Sequence, residues 1–163
     1  QLNKIRQDLC EEVFLQADEM VQNSGNKNPA IVLFNKEWHN GIIGIVASKL
    51  VEKYYKPTFL MTYDEERNQI RCSARGSEGL SLYEILKENS DLLDGFGGHA
   101  LAAGFSFTET GNQFEVVKNA LNNTVKELNA AKELAVELFE STKDTRAAAL
   151  IHEIENQQKL KTE

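Results

Sequence analysis

Four of the chain's ten glycines fall between residues 95 and 104, in the segment GFGGHALAAG, and this segment constrains the fold more than any other. Glycine has no Cβ, so Gly97 and Gly98 can take positive φ angles and turn successive backbone N–H groups toward one point. His99 adds a ring nitrogen that can donate a hydrogen bond to an anion. We therefore predict a glycine turn that is a candidate anion site. The alternative is an ordinary tight turn in which His99 is a surface or capping residue.

Length and charge suggest one globular domain with a local site. A chain of 163 residues that is 41% hydrophobic is long enough for one core. The net charge of −7 argues against a broad basic surface for nucleic acid. However, residues 1–24 and residues 127–163 contribute −3 each, which leaves −1 for the middle of the chain. A local pocket for a phosphate is therefore compatible with the charge, whereas an extensive electrostatic funnel does not follow.

The cysteines and the hydropathy pattern indicate a reduced, soluble protein. Cys10 and Cys72 have no CxxC spacing, so we interpret them as intracellular thiols rather than a disulfide or a metal site. The N-terminus does not have the pattern of a leader, and no apolar run approaches the roughly 20 residues that span a bilayer. We expect a cytoplasmic domain without membrane contact.

Hydrophobic periodicity predicts an α/β fold with a mixed sheet of about four to five strands and packed helices, plus flanking helices from both termini. Strands are predicted at residues 30–34, 58–63, 69–75 and 101–107. Helices are predicted over residues 1–22, from Asn40, over residues 81–93, and over 110–128 with Thr110 and Gln113 as a capping box. Residues 129–163 are predicted to add two more helices, the second opening at Asp144.

A second candidate region lies between the first strand and the helix that Asn40 is predicted to cap. Gly41 and Gly44 lie three residues apart on one face of this helix and would permit close approach to the sheet. Trp38 and His39 precede the cap and lie in the loop after the first strand. This end of the strands is the usual ligand edge of an open α/β sheet. Either both side chains contact a ligand, or Trp38 plugs the edge of the core and His39 is incidental.

The strand at residues 69–75 alternates in character. Ile70, Cys72 and Ala74 give an apolar face, while Arg71, Ser73 and Arg75 lie on the other face, which is polar and cationic. For an isolated strand, a solvated sheet face would explain the two arginines.

Three segments resemble the DHH phosphoesterase superfamily. GGH followed by A-x-A-A-G is similar to the signature of the DHHA1 domain, the substrate-binding half of these enzymes, which implies that Gly97, Gly98 and His99 contact the substrate's phosphate. The run W-H-x-G-I-I-G-I-V-A-S-K-L-V-E-K-Y, beginning at Trp38, resembles the RecJ family of single-strand-specific 5′-to-3′ DNA exonucleases. Trp38 and His39 are therefore also candidate substrate contacts.

The third segment, R-C-S-A-R-G-S, resembles the RecJ pattern G-S-x-R-S, in which the Arg contacts substrate phosphate. The matching residues are Ser73 and Arg75, so the resemblance favours a ligand role for this cationic face. Cys72 and Gly76 depart from the commoner Gly and Ser.

The resemblance covers about residues 30–128, so we expect a DHHA1-like domain at 29–128 between a helical connector at 1–24 and a helical segment at 129–163. It implies a role in DNA repair and recombination, with the single-stranded DNA backbone as ligand and a DHH catalytic domain of the same parent protein as partner. Mn²⁺ or Mg²⁺ is expected on that DHH domain. Because His39, His99 and His152 lie far apart and no Asp-His-His run occurs, we expect neither metal ligands nor catalytic residues here, and no hydrolysis by the chain alone. We interpret His152, among charged residues, as solvated.

Two other functions stay open. The chain could be the DHHA1 domain of a nanoRNA or cyclic-dinucleotide phosphodiesterase, or a helical assembly module without a ligand. The order of the segments is also unusual, because the run N-A-A-K-E-L-A-V-E-L-F normally precedes this domain in RecJ, and here it follows at Asn129. We therefore predict that the chain is a re-ordered version of the family segment, in which the helix at residues 144–161 and the helix at residues 1–22 derive from one long connector.

Overall fold

The computed structural model of the chain describes residues 1–162. Its five strands are β1 Ile31–Phe34, β2 Thr58–Asp64, β3 Gln69–Arg75, β4 Gly95–Gly98 and β5 Ala102–Phe107. They form one sheet in the order β1-β2-β3-β5-β4. Only β1 and β2 are parallel, and the other three pairings are antiparallel. The predicted mixed α/β fold is confirmed.

Four helices accompany the sheet: α1 Leu2–Asn23, α2 Asn40–Tyr54, α3 Leu82–Glu88 and α4 Gln113–Thr162, with a 3₁₀ turn at Ser90–Leu92. The chain divides into two compact units, Gln1–Lys126 and Glu127–Glu163. The first unit contains the sheet, α1 to α3 and the first part of α4. Among the described residues, no helix is long and apolar enough to cross a membrane.

α1 and α2 pack against one face of the sheet. Ala17 and Val21 of α1 join Val46 and Leu50 of α2 in a buried cluster that also takes in Leu60 of β2. The helices are also joined by Asp18, whose carboxylate accepts hydrogen bonds from Lys53 Nζ at 2.8 Å and from the Tyr54 hydroxyl. Burial alone would raise the pKa of Asp18, but these hydrogen bonds outweigh it and lower the pKa below its usual value.

α3 and the first part of α4 lie on the opposite face. Successive residues of a strand point to opposite sides, and while Leu33 packs on the cluster of α1 and α2, the ring of Phe34 lies 5.6 Å from that of Phe114 in α4. The helix residues buried on this side are Leu82, Ile85, Leu86, Val117, Leu121 and Val125. The sheet is therefore covered on both faces, except where the site described below begins.

The helix caps predicted at Asn40 and Thr110 are wrong. α2 begins at Asn40, and its cap is His39, whose ring Nδ1 accepts a hydrogen bond from Gly41 N at 3.0 Å. At α4 the cap is not Thr110 but Glu109, whose carboxylate accepts from the backbone N–H groups of Gly111, Gln113 and Phe114. A carboxylate two or more residues before a helix satisfies its free N–H groups as well as a hydroxyl does.

The breaks predicted after residue 128 and before Asp144 are also wrong, because α4 continues to Thr162. This helix contains neither Gly nor Pro, and it is rich in Ala, Leu, Glu and Lys. With good helix formers throughout, no residue interrupts the backbone hydrogen bonds.

Candidate functional site

Gly95, Gly97 and Gly98 lie in an edge strand, and the turn of the glycine-rich segment follows them. Gly95–Gly98 forms β4, in which Gly97 pairs with Gly104 and Gly98 with Ala103 of β5. The turn lies at residues 99–101. Of the two glycines predicted to take positive φ, only Gly98 does, at 136°. The prediction is wrong for Gly97, because pairing with β5 holds this residue in an extended conformation.

The fold requires glycine at one position of β4 and leaves space for a side chain at the other two. A Cβ at Gly98 would lie 2.5 Å from both Ala102 O and Ala103 Cα, so this position requires glycine for folding. A Cβ at Gly97 would have no atom within 4 Å, and one at Gly95 would be no closer than 4.0 Å to Ser106 Oγ. The missing side chains at Gly95 and Gly97 therefore leave open space above the strand.

These open positions belong to a shallow groove on the face of the sheet that carries Arg71, Ser73 and Arg75. Cross-strand partners share a face, so the register places Arg71, Ser106 and Gly95 in one row and Ser73, Gly104 and Gly97 in the next. The resulting depression has a volume of about 400 Å³. We call it the glycine groove; it is lined by Asn40, Arg71, Cys72, Ser73, Gly95, Phe96, Gly97, Gly104, Phe105 and Ser106.

Arg75 continues this face one row beyond the groove. Its Nη1 donates to Ala74 O at 2.8 Å, and its guanidinium packs so closely on α2 that a Cβ at Gly44 would lie 2.6 Å from Nη2. The guanidinium of Arg75 can take this position because residue 44 has no side chain. No carboxylate lies within 4.0 Å of Arg75 in residues 1–162. Its positive charge is therefore not neutralised by the part of the chain that the structure describes.

Arg71 is the second cation of this face, and it is partly compensated. Its Nη1 lies 3.6 Å from Asp64 Oδ2, and Arg67 Nη1 lies 3.0 Å from the same oxygen. The hydrogen bond from Arg67 holds the pKa of Asp64 below its usual value, so this carboxylate stays ionised. The field of the groove is therefore more positive near Arg75 than near Arg71.

Arg75 and His99 lie on opposite sides of Ala102 in β5. Ala102 pairs with Arg75 of β3, and its carbonyl also accepts the backbone N–H of His99 at 2.9 Å. Gly76 N donates to Leu101 O at 2.9 Å, which fastens the end of β3 to the turn at residues 99–101. The exposed ring of His99 accepts from Leu101 N through Nδ1 at 3.3 Å, which leaves Nε2 for a ligand.

Trp38 and His39 do not line the groove. Trp38 is buried, 4% exposed, and its Nε1 donates to Gln16 Oε1 at 2.8 Å. This placement matches the alternative in which Trp38 plugs the core edge. His39 caps α2 and lines a different depression together with Leu2, Ile5 and Leu9. Their assignment as phosphate ligands stays a prediction that the geometry does not favour.

Asn40 and the small residues of β5 were missed. Asn40, predicted as a cap, lines the groove from the first turn of α2. Gly104 and Ser106 line it because they alternate along β5 with the buried Ala103, Phe105 and Phe107. The signal was in the sequence, since Arg71, Ser73 and Arg75 follow the same period of two.

Nothing in the described residues assembles a metal centre. Across residues 1–162 no group of three or more His, Cys, Asp or Glu side chains is arranged to hold an ion. Cys72 lies in the strand beneath the groove, but burial raises its pKa well above the usual value, so the thiol stays protonated and unreactive at neutral pH.

Comparison with known proteins finds similarity over the same region. The family model described as the DHHA1 domain matches residues 27–133. The chain is 43% identical over 106 residues to the single-stranded-DNA-specific exonuclease RecJ of Bacillus subtilis, covering 65% of this chain and 14% of that protein. It is 37% identical over 108 residues to RecJ of Thermus thermophilus, covering 66% and 15%.

Solved structures agree. A crystal structure of exonuclease RecJ bound to manganese superimposes with a TM-score of 0.64 at 31% identity, covering 77% of this chain and 30% of that one. Thermus thermophilus RecJ in complex with Mg²⁺ gives a TM-score of 0.65 at 31% identity, covering 77% and 19%. The chain thus spans 14% and 15% of the two curated relatives named above.

Proposed function

We propose that this chain, which belongs to the DHHA1 domain family and is the DHHA1 domain of a RecJ-like protein, binds the phosphate backbone of single-stranded DNA in the glycine groove. The observation that carries the proposal is the unneutralised guanidinium of Arg75, one row from a groove floor where Gly97 and Gly104 have no side chains. A cation beside an open floor is what a sugar–phosphate chain needs to approach closely.

The roles follow from the chemistry of the groups. Arg75 offers a planar fork of donors that matches two oxygens of one phosphate. Ser73 in the neighbouring row offers a hydroxyl, and His99 a ring nitrogen on the other side of β5. Such contacts fix the register of the strand and carry no base information. The domain would therefore hold DNA without regard to sequence.

Hydrolysis is assigned to another part of the parent protein. The RecJ structures above contain manganese or magnesium, and metal-assisted hydrolysis needs clustered carboxylate and His ligands. The described residues of this chain do not offer that set. We place the metal on a DHH domain, and the groove of this chain would position the strand for it.

The test is to measure binding of a labelled single-stranded oligonucleotide to the chain and to Arg75→Ala. Because a charge-assisted contact to phosphate contributes about 1.5 to 3 kcal/mol, we expect affinity to fall roughly 10- to 100-fold. Arg6→Ala removes the same charge from an exposed position of α1 and should leave affinity within about twofold. Equal affinities for the two variants would contradict the proposal.

A second ligand class fits the size of the groove. Its volume of about 400 Å³ lies within the range of small-molecule sites, so a dinucleotide would also be accommodated. Short dinucleotides should compete weakly with the oligonucleotide if DNA is the ligand. Competition at equal concentrations of phosphate would favour a small-nucleotide phosphodiesterase. Failure to bind phosphate, sulfate or oligonucleotide would favour a helical assembly module.

A further inference from the structure

A second recess lies beside the loop before β1, at the sheet edge opposite β4. It is lined by residues 27–29 and by one side of α4 between Lys118 and Lys126. Its volume of about 780 Å³ exceeds that of the glycine groove. We call it the lysine–asparagine recess, because Pro29 is the one lining residue that is neither Lys nor Asn.

The recess is positive although the chain as a whole is acidic. Lys27, Lys118 and Lys126 line it without any Asp or Glu, in a chain whose net charge is −7. None of these lysines has a carboxylate within 4.0 Å among residues 1–162. The nearest acidic residues along α4, Glu115 and Glu127, are not among its lining residues. Three ammonium groups around one concavity repel one another unless an anion lies between them.

The amide groups divide into a fixed one and available ones. Asn122 is held in place, since its Oδ1 accepts from Ala30 N at 3.1 Å and its Nδ2 donates to Lys118 O at 3.2 Å. The side chains of Asn28, Asn119 and Asn123 make no hydrogen bond within the described part of the chain. The recess therefore presents three cations and three uncommitted amides around a rigid centre.

The spacing suits a linear polyanion better than a single ion. Lys118 and Lys126 are eight residues apart on α4, which is about 12 Å along the helix axis. Successive phosphates of a strand match two cations at this separation along the helix. No aromatic side chain lines the recess, so it offers no platform for base stacking.

We propose that the lysine–asparagine recess is a second contact surface for a nucleic-acid backbone, used by a segment of strand different from the one in the glycine groove. The choice of a nucleic acid over an acidic protein rests on the proposed function. β1 and β4 are the two edges of the sheet, the groove opens on the face that carries α2, and the recess is lined by α4 of the opposite face, so a strand bound at both sites passes around an edge of the sheet. The recess adds affinity and salt dependence, and the glycine groove positions the strand.

The experiment compares oligonucleotide binding by the full chain and by the triple variant Lys27→Gln, Lys118→Gln, Lys126→Gln. Affinity is measured at several salt concentrations between about 0.05 and 0.2 M. We expect at least a tenfold loss at the lowest salt, and a slope of log affinity against log salt that is smaller by about 2, since each phosphate contact to a single strand contributes about 0.7. The matched control is Lys4→Gln, Lys49→Gln, Lys87→Gln, which removes the same charge from exposed positions outside both sites.

Each outcome separates this proposal from the proposed function. If the recess variant binds like the control variant while Arg75→Ala still weakens binding, the recess is not a nucleic-acid surface and the groove proposal stands. If only the recess variant loses affinity, the recess is supported and the groove proposal fails. If poly-L-glutamate displaces the oligonucleotide from the recess as well as an unlabelled oligonucleotide does, the recess takes any polyanion and its assignment to nucleic acid is overturned.

Discussion

Gly97 and Gly98 are adjacent in β4, but the fold requires glycine only at residue 98. Gly98 has a φ of 136° and backbone atoms 2.5 Å from where a Cβ would stand, so folding demands it. Gly97 has an ordinary φ and open space, so folding does not. A glycine in a strand weakens it, and the open space at Gly97 is what the proposed close approach of a phosphate requires.

Replacing each glycine by alanine should separate these roles. We expect Gly97→Ala to unfold within a few degrees of the parent chain and to bind the oligonucleotide at least tenfold more weakly, because its methyl group would stand in the groove. We expect Gly98→Ala to lose about 2 kcal/mol or more of the free energy of unfolding, from backbone strain and contact. Thermal unfolding and fluorescence anisotropy measure the two effects.

Gly111→Ala is the control for backbone strain alone. Gly111 has a φ of 111°, but a Cβ there would have no atom within 4 Å, so its replacement should cost only about 1 kcal/mol. If Gly97→Ala binds the oligonucleotide like the parent chain, the open floor has no part in binding.

The elements that the sequence predicted are those whose pattern is local. The period of two over residues 69–75 predicted β3 and placed Ser73 and Arg75 on one face, as the structure has them. β4 was missed because Gly95–Gly98 becomes a strand only through pairing with β5, and glycine has no strand preference of its own. Trp38 was left with two interpretations because it is buried in a cluster with residues of α1, where Gln16 also accepts its hydrogen bond, and no local pattern connects the two segments.

Asp18 joins α1 to α2, and its titration gives the pair of helices a pH dependence. Its pKa is lowered in the folded state, so its contribution to stability is present above the unfolded pKa of about 3.9 and is lost as the pH falls through the folded value. The partners, Lys53 and Tyr54, both come from the last turn of α2.

Asp18→Asn should therefore lower the free energy of unfolding by about 1 kcal/mol near neutral pH, a figure already reduced for solvent screening. The difference from the parent chain should shrink below about pH 4, where the parent carboxylate also becomes protonated. Urea unfolding between neutral and acid pH measures it. Asp8→Asn, on an exposed part of α1, is the control and should show no such difference. If the difference in free energy of unfolding stays constant down to the lowest pH, the ionised carboxylate of Asp18 does not stabilise the fold.

In the molecule as a whole, acidic and cationic residues are concentrated in different parts of the chain. The acidic flanks at residues 1–24 and 127–163 carry most of the net charge, while the cations of the glycine groove and of the lysine–asparagine recess lie between them. The proposed nucleic-acid surfaces are thus local and separate. Among the residues whose burial the structure describes, Val125 is the last buried hydrophobic residue.

The re-ordered connector is a hypothesis about these flanks. If residue 163 were joined to Gln1, Leu2 and Leu9 would follow Ile151 and Gln158 at intervals of seven, and Ile5 would fall in phase with Ile154. Leu2, Ile5, Ile151 and Ile154 are between 47% and 85% exposed in this chain. One helix cut in two would leave such a stripe, unpartnered on both pieces and in register across the joint.

A chain with its segments re-ordered would test the hypothesis of one long connector. We would begin it at Asn129, join residue 163 to Gln1 and end it at residue 128. Ahead of Asn129 we would fuse the metal-binding domain of the exonuclease RecJ whose crystal structure contains manganese. Because the cut lies outside the core, we expect the DHHA1 fold and oligonucleotide binding to persist, and the fusion to hydrolyse single-stranded DNA. Two alanines inserted at the joint would rotate one half of the stripe by about 200° and shift it by about 3 Å, and should lower the rate at least tenfold. The same insertion after Gly79, in the exposed loop before α3, should leave the rate unchanged. Equal rates for both insertions, or activity only when the DHH domain is fused ahead of Gln1 in the present order, would show that the phase agreement is a coincidence.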